Sequence, residues 1–427
     1  MISLILFGLL AVLLLLSVPI AVALGIASTL ALLVSGKVSA SYVPQGLVTS
    51  IDSFPLMAVP FFILAGDLMG QGGLSQRLIN VGRMFFGRYT GGMAIIAVVT
   101  CIFFAAISGS GPATVAAVGT ILLPAMAKDG YKPGFSSGLI SSAGSLGVII
   151  PPSIPMVIYA TSANVSVSKM FMAGVVPGLL IGLTLIAYAW WQSKRDGQKP
   201  GEYRPTRREM LAVLNDAKWA LMVPVIILGG IYGGVFTPTE AAAVGVIYGF
   251  VVGAFVYKEL SLKDLYRIIA GSGLTSATIM LIVGTATIFG RALAIEGVPV
   301  MLANAITSAV DQAWLLLLAI NVILLIVGTF METIAAIIIL TPILLPLVTA
   351  LGINAEHFGI VMIVNLAIGM VTPPVGVNLF VASRISGLSL ETVVKGAIAP
   401  MLVMIAVLLV ITYVPAISLA LPALFGM

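Results

Sequence analysis

Ile121-Leu122-Leu123-Pro124 returns as Ile343-Leu344-Leu345-Pro346, and Pro151-Pro152 returns as Pro373-Pro374, both 222 positions later. Gly147 and Gly369 keep the same spacing, as do Gly174 and Gly396. Upstream, Gly73 and Asn80 match Gly297 and Asn304 at a separation of 224, and Pro19 matches Pro238 at 219. So constant an offset marks an internal duplication. The chain reads as two homologous halves, 1–191 and 218–427, joined by a polar linker, 192–217. Around these landmarks 60% of the 427 residues are apolar, only 8% are charged, and the mean hydropathy is +1.20. A soluble domain carries roughly 25% charged residues, so the chain is an all-α polytopic membrane protein.

Each half divides in the same way. Two close helices come first (2–17 and 19–35; 218–236 and 238–257), then a third (55–71; 270–290) and a less apolar arm (73–90; 292–312). Two short apolar arms follow, 92–107 with 112–127 and 313–328 with 334–350. At about 16 residues each they are short for a span of roughly 20. Each pair reads as a re-entrant hairpin, 92–127 and 313–350. A long segment broken by Pro-Pro comes next (134–160; 358–384), and a final helix closes the half (169–191; 392–413). Leu74, Leu78, Val81 and Phe85 share one face of the first arm, with Arg77, Asn80, Arg83 and Arg88 on the other. That is the pattern of a helix lying in the membrane interface.

Counting each hairpin as re-entrant gives five spans per half, so the halves run in opposite directions and form inverted-topology repeats. The linker carries Lys194, Arg195, Lys199, Arg204, Arg207 and Arg208, which places it in the cytoplasm. Both termini are then periplasmic, and 17 of the 20 cations lie inside; only Lys37, Lys169 and Arg291 fall outside. The net charge of +5 therefore reports membrane orientation rather than nucleic-acid binding. Met1-Ile2-Ser3-Leu4 has no basic region ahead of its apolar run, so that run reads as a retained helix.

Inverted repeats with broken helices point to a secondary transporter. Backbone unwound at membrane depth must be satisfied by protein, water, ion or substrate. Four segments qualify. They are the tip Ser108-Gly109-Ser110-Gly111-Pro112-Ala113-Thr114, the break Ser141–Gly147 with Pro151-Pro152-Ser153, the tip Gly328–Thr333, and the break Asn365–Asn378. Glu332 aligns with Ser110, and an acid at a hairpin tip reads either as an ion or proton site or as a partly solvated tip. Thr237-Pro238-Thr239-Glu240 has the form of a helix capping box. Asp67 reads as a wet residue near its helix end, and His357 as a surface residue in a polar loop. With one histidine and one cysteine, Cys101, no metal cluster is available. Gly109-Ser110-Gly111 lacks the strand–turn–helix setting of a hydrolase nucleophile. No Gly-rich phosphate loop with lysine occurs, so ATP is not the energy source in this chain, and with neither a nucleophile–base pair nor a metal cluster in the sequence an intramembrane enzyme is not expected.

Gly234-Val235-Phe236-Thr237-Pro238-Thr239-Glu240-Ala241-Ala242, the Ser108–Thr114 tip and Thr372-Pro373-Pro374-Val375-Gly376-Val377-Asn378 resemble the large membrane subunit of tripartite ATP-independent periplasmic (TRAP) transporters, along essentially the whole chain. The resemblance implies a bacterial inner-membrane protein working by an elevator mechanism. It implies sodium-gradient-driven symport of an organic acid anion of the sialic acid or C4-dicarboxylate class. It implies two partners in addition to membrane lipid: a small four-helix membrane subunit and a periplasmic substrate-binding protein. A stand-alone Na⁺/carboxylate or other ion transporter of the same superfamily, or an ion channel, is the alternative. On this reading the hairpins and broken helices form a transport domain and the rest a scaffold. One Na⁺ site is expected from Ser108, Ser110, Gly111 and Thr114 with Gly144, Ser145 and Gly147. A second is expected from Thr329, Met331, Glu332 and Thr333 with Gly369, Met370 and Thr372. The substrate is expected between the tips, near Pro152, Ser153, Pro374, Gly376 and Asn378, where restarting helices point amides at its acid group.

Overall fold

The computed structural model describes residues 2–39, 41–201, 203–298, 301 and 312–426. Every regular element among them is helical. The first half runs α1 (Ile2–Leu15), α2 (Ile20–Ser35), α3 (Tyr42–Ile51), a 3₁₀ turn into α4 (Ala58–Gln71), and the arm α5 (Leu74–Phe86). Its hairpin is α6 (Gly92–Ser108) with α7 (Gly111–Lys128), and its broken helix is α8 (Pro133–Gly144), α9 (Leu146–Ile149) and α10 (Ile154–Ala163). The long α11 (Val167–Arg195) ends it. The second half runs α12 (Arg207–Tyr232), α13 (Pro238–Val251, extended by a π turn) and α14 (Leu262–Ile295). Its hairpin is α15 (Ala313–Phe330) with α16 (Thr333–Ala350), and its broken helix is α17 (Ala355–Gly369) with α18 (Val377–Ser386). It ends with α19 (Leu390–Tyr413) and α20 (Ala416–Leu424). By length and composition nine of the described helices could cross a membrane, or ten if the pair bent by 42° at Pro151-Pro152 counts as one span.

The hairpin arms fall within two residues of their expected ends. Other elements differ. The linker is not polar loop throughout, because α12 starts at Arg207, where Thr206 and Glu209 cap it reciprocally. The third helix of the second half is much longer than 270–290. Helices α3 and α20 were not expected. Of the arm expected at 292–312, residues 299, 300 and 302–311, with Asn304, lie outside the described residues. The capping box at Thr237 and Glu240 is present.

Packing interlocks the two halves. Helix α4 lies along α13, and α2 along α14. The restarting segment of each broken helix leaves its own half: α18 lies on α7 and α8, and α10 lies on α16. Helix α8 crosses α19 at backbone distance. A methyl group on Gly396 would overlap the Gly134 carbonyl, and one on Gly138 would overlap Gly396. Such glycine crossings let dispersion and backbone contacts replace the hydrophobic drive that lipid removes. Ion pairs sort by end. Lys37 pairs with Glu296 at 2.8 Å and Lys169 with Glu356 at 3.2 Å, while Arg77 pairs with Glu259 and Asp216, and Lys132 with Asp196.

His357 corrects its expected place. It is in α17, 1% exposed, with Nε2 3.2 Å from the Thr412 carbonyl and Nδ1 3.4 Å from Ser418 Oγ. The unexpected α20 returns over it and supplies Ser418.

Candidate functional site

Glycine and proline stop and restart the helix at the first tip, and a glutamate caps the restart at the second. At the first, α6 ends on Gly109, whose φ of +61° is the left-handed C-cap that glycine takes without strain. Ser110 is extended and Pro112 stands in the first turn of α7. The hydroxyls of Ser108 and Thr114 lie 3.0 Å apart, and Thr114 donates to the Ser110 carbonyl at 2.8 Å. At the second tip Glu332 is the N-cap of α16. Its Oε2 accepts from the amides of Ile334 and Ala335 at 2.9 and 3.1 Å, where the positive end of the helix favours a carboxylate.

Each break lies against its own half's hairpin. A methyl group on Gly147 would stand 2.5 Å from Thr114 Oγ1 and would overlap the Ser110 carbonyl. One on Gly369 would stand 2.5 Å from the Gly328 carbonyl oxygen. No larger residue fits either position without moving a tip. The two breaks differ in exposure: residues 151–153 are buried, whereas Pro373, Pro374 and Val375 are exposed.

Both tips, both breaks, α4 and α14 enclose a cavity of about 600 Å³. Of the residues expected to bind an ion or substrate, Ser108, Ser110, Thr329, Met331, Glu332, Thr333, Met370 and Gly376 line it. Gly111, Thr114, Gly144, Ser145, Gly147, Gly369 and Thr372 stand behind this wall. The Thr372 hydroxyl is turned to the Ile368 carbonyl at 2.8 Å. Pro152, Ser153 and Pro374 are also outside the lining. Ser153 spends its hydroxyl on the Val148 carbonyl at 2.6 Å and on capping α10. Asn378 is fully buried and points into the first half, donating to the Ser141 carbonyl at 3.1 Å and Ser145 Oγ at 3.2 Å. Its Oδ1 has no hydrogen-bond partner among the described atoms and would stand 3.3 Å from a methyl group on Gly111. Asn365 is buried too, bonded to Asn321 Oδ1 at 2.7 Å, and its own Oδ1 is unpaired.

Sequence reading set Asp67 aside, yet it lines this cavity, where Ser272 on α14 donates to its Oδ2 at 2.6 Å. Thr275 and Thr278 of α14 line it as well. Among the described residues Asp67 and Glu332 are the only charged side chains in the lining, and both are acids. No group of three metal-ligating side chains occurs among the described residues. The chemistry on offer is hydroxyls, carbonyls and helix ends, which suits binding and release rather than bond-making.

Comparison with known proteins agrees. The family described as "Tripartite ATP-independent periplasmic transporter, DctM component" matches residues 7–417. The isethionate TRAP transporter permease protein DctMQ of Oleidesulfovibrio alaskensis is 52% identical over 97% of this chain, which spans 65% of that protein's length. The C4-dicarboxylate large permease of Rhodobacter capsulatus is 41% identical over the full length of both. The sialic acid large permease of Vibrio cholerae is 36% identical over 92% of each. In fold the chain is similar to the Alcanivorax borkumensis YdaH transporter, with a TM-score of 0.62 over 87% of each chain at 17% identity. With a membrane-type helical fold, a cavity built from broken helices and a family match over nearly its whole length, this chain belongs to the DctM family of TRAP transporter large permeases, and is a transporter subunit rather than an enzyme.

Proposed function

We propose that the chain carries a small organic acid anion inward together with sodium ions, in partnership with a small membrane subunit and a periplasmic binding protein. The observation that carries this reading is the charge of the cavity. An anion entering it meets the N-terminal ends of α7, α10, α16 and α18, which attract it, but also two carboxylates and, among the described residues, no basic side chain. Charges of the same sign repel one another strongly where water is scarce. Bound cations beside the substrate offset that repulsion.

The residues suit two such ions. Ser108, Thr114 and the Ser110 carbonyl form one oxygen cluster, and the unpaired Asn378 Oδ1 stands beside Gly111 of the same tip. Gly144, Ser145 and Gly147 back it. Thr329, Thr333 and the carbonyl ends of α15 and α17 near Gly369 and Met370 form the other. The acid group of the substrate then lies against Glu332's helix and the Gly376–Val377 turn. The relatives named above handle a sulfonate, dicarboxylates and a sugar acid, which supports a small organic anion as the class.

The hairpins and broken helices move as the transport domain in this reading. We group α11 and α19 with them, because α19 crosses α8 at glycine distance and α11 packs along α6. The halves are inverted repeats with both termini periplasmic. Uptake into proteoliposomes tests the coupling. An inward Na⁺ gradient should drive saturable accumulation when all partners are present. Equal accumulation from a proton gradient without Na⁺, or passage that never saturates, would overturn it.

A further inference from the structure

A second cavity, of about 1070 Å³, lies at the base of the first hairpin, between the C-terminal end of α7, the arm α5 and the linker. Arg83, Lys128 and Lys199 line it, against one lining acid, Asp129. Among the described residues none of the three cations is in an ion pair, although Arg77, Lys132 and Lys395 at this end are each paired. Arg83 Nε is buried without a hydrogen-bond partner. A buried donor left unmade is costly, and like charges around one void repel. A bound anion relieves both.

The surroundings say which kind of anion. Arg88 stacks on Tyr89, Lys194 on Trp190, Arg195 on Trp191 and Lys218 on Trp219, all around this end. Trp190 and Trp191 are 46% and 50% exposed. Aromatic rings beside cations mark the membrane–water boundary. The arm α5 is strongly amphipathic, with Leu74, Leu78 and Val81 buried. The void therefore opens at headgroup depth, on a face whose linker holds six cations against four acids, Asp196, Glu202, Glu209 and Asp216.

We propose that this cavity binds the phosphate of an anionic phospholipid headgroup, with Arg83, Lys128 and Lys199 as its counter-charges. Basic pockets at helix ends recognise such headgroups by charge, and each nearby cation contributes appreciably to holding them. Seated there, the lipid bridges the hairpin base to the linker, so it acts on the same hairpin whose tip lines the transport cavity.

The test is lipid retention by the full chain, read by native mass spectrometry after purification from mixed phosphatidylglycerol and phosphatidylcholine. The wild type should keep phosphatidylglycerol in preference. Lys199→Gln and Arg83→Gln should each lower that retention about fivefold. A Lys263→Gln, Arg267→Gln variant, which removes exposed cations outside the cavity, should retain it. Lys199 is on an exposed loop, so that variant decides the matter if Arg83→Gln folds poorly. Equal retention of phosphatidylcholine, or unchanged retention in Lys199→Gln, would overturn the proposal. So would displacement of the lipid by millimolar inorganic phosphate, which would make the site one for a free anion.

Discussion

Thr114 closes the first hairpin tip with a single hydroxyl, bonded to the Ser110 carbonyl and touching Ser108 Oγ. Thr114→Val keeps the shape and removes that oxygen. If it ligates a cation the loss is about 1.5–3 kcal/mol, so the Na⁺ concentration for half-maximal uptake should rise roughly ten- to a hundred-fold. The melting temperature without Na⁺ should hardly move. An unchanged Na⁺ dependence would make the tip a packing element. Ser110→Ala should act more weakly, since Ser110 contributes its carbonyl to this cluster. Outside the membrane Asp196 offers a different handle. Burial raises its pKa, but hydrogen bonds from Lys132 and Gln192 outweigh that and hold the carboxyl below its ordinary value. A depressed carboxylate contributes stability that is complete above the unfolded value of about 4 and is lost as pH falls through the folded one. Thermal melts between about pH 2 and 6 should show a sloping acid limb, and Asp196→Asn should flatten it.

Among the elements, the α8–α19 crossing is the most sensitive to volume. Gly396→Val should cost about 1–3 kcal/mol by overpacking and more if the helices part, read as a lower melting temperature by size-exclusion after heating. A wild-type melting temperature would show that the crossing can open freely. The hairpins were legible in the sequence because small, hydroxyl and proline residues interrupt apolar runs there. Helix α3 was not: it is ten residues long and carries Pro44, Gln45 and Gly46 near its start. Helix α20 was hidden behind Val414-Pro415. The start of α12 was masked by its own charge, although Thr206 and Glu209 spell a cap. The site was legible as segments but not as a room. Nothing local says that Asp67 faces the tips, that α14 supplies Thr275 and Thr278, or that Asn378 reaches Ser141 in the other half. These are long-range pairings, and helical periodicity carries no information about them. His357 was misread for the same reason, since its cover arrives 61 residues later with Ser418.

At the scale of the whole molecule, a simple labelling experiment tests the proposed orientation. Arg204 is exposed in the linker, whereas Ser193 is buried, so Arg204→Cys is the better reporter, in a chain whose buried Cys101 is replaced by alanine. A membrane-impermeant thiol reagent should label it in opened cells and leave it untouched in intact ones. Labelling in intact cells would reverse the proposed topology. The interlock of the halves also bears on stability. Because α18 belongs to one half by sequence and to the other by packing, neither half buries its own hairpin alone, and 1–191 should not fold without 218–427.

If the chain couples its substrate to sodium as proposed, a cavity whose only charges among the described residues are negative also dictates a timetable. While it is empty, the two acids favour the arrival of cations and discourage the anion, so on that reading the ions enter first and the substrate fills a room already made hospitable. Departure would run the other way: once an ion escapes, its anion loses its hold. A lone substrate would be turned away at the door, which suppresses slippage in either direction. Rapid mixing should therefore show substrate binding slowed steeply as Na⁺ is lowered; a binding rate independent of Na⁺ would mean that the door is open to both.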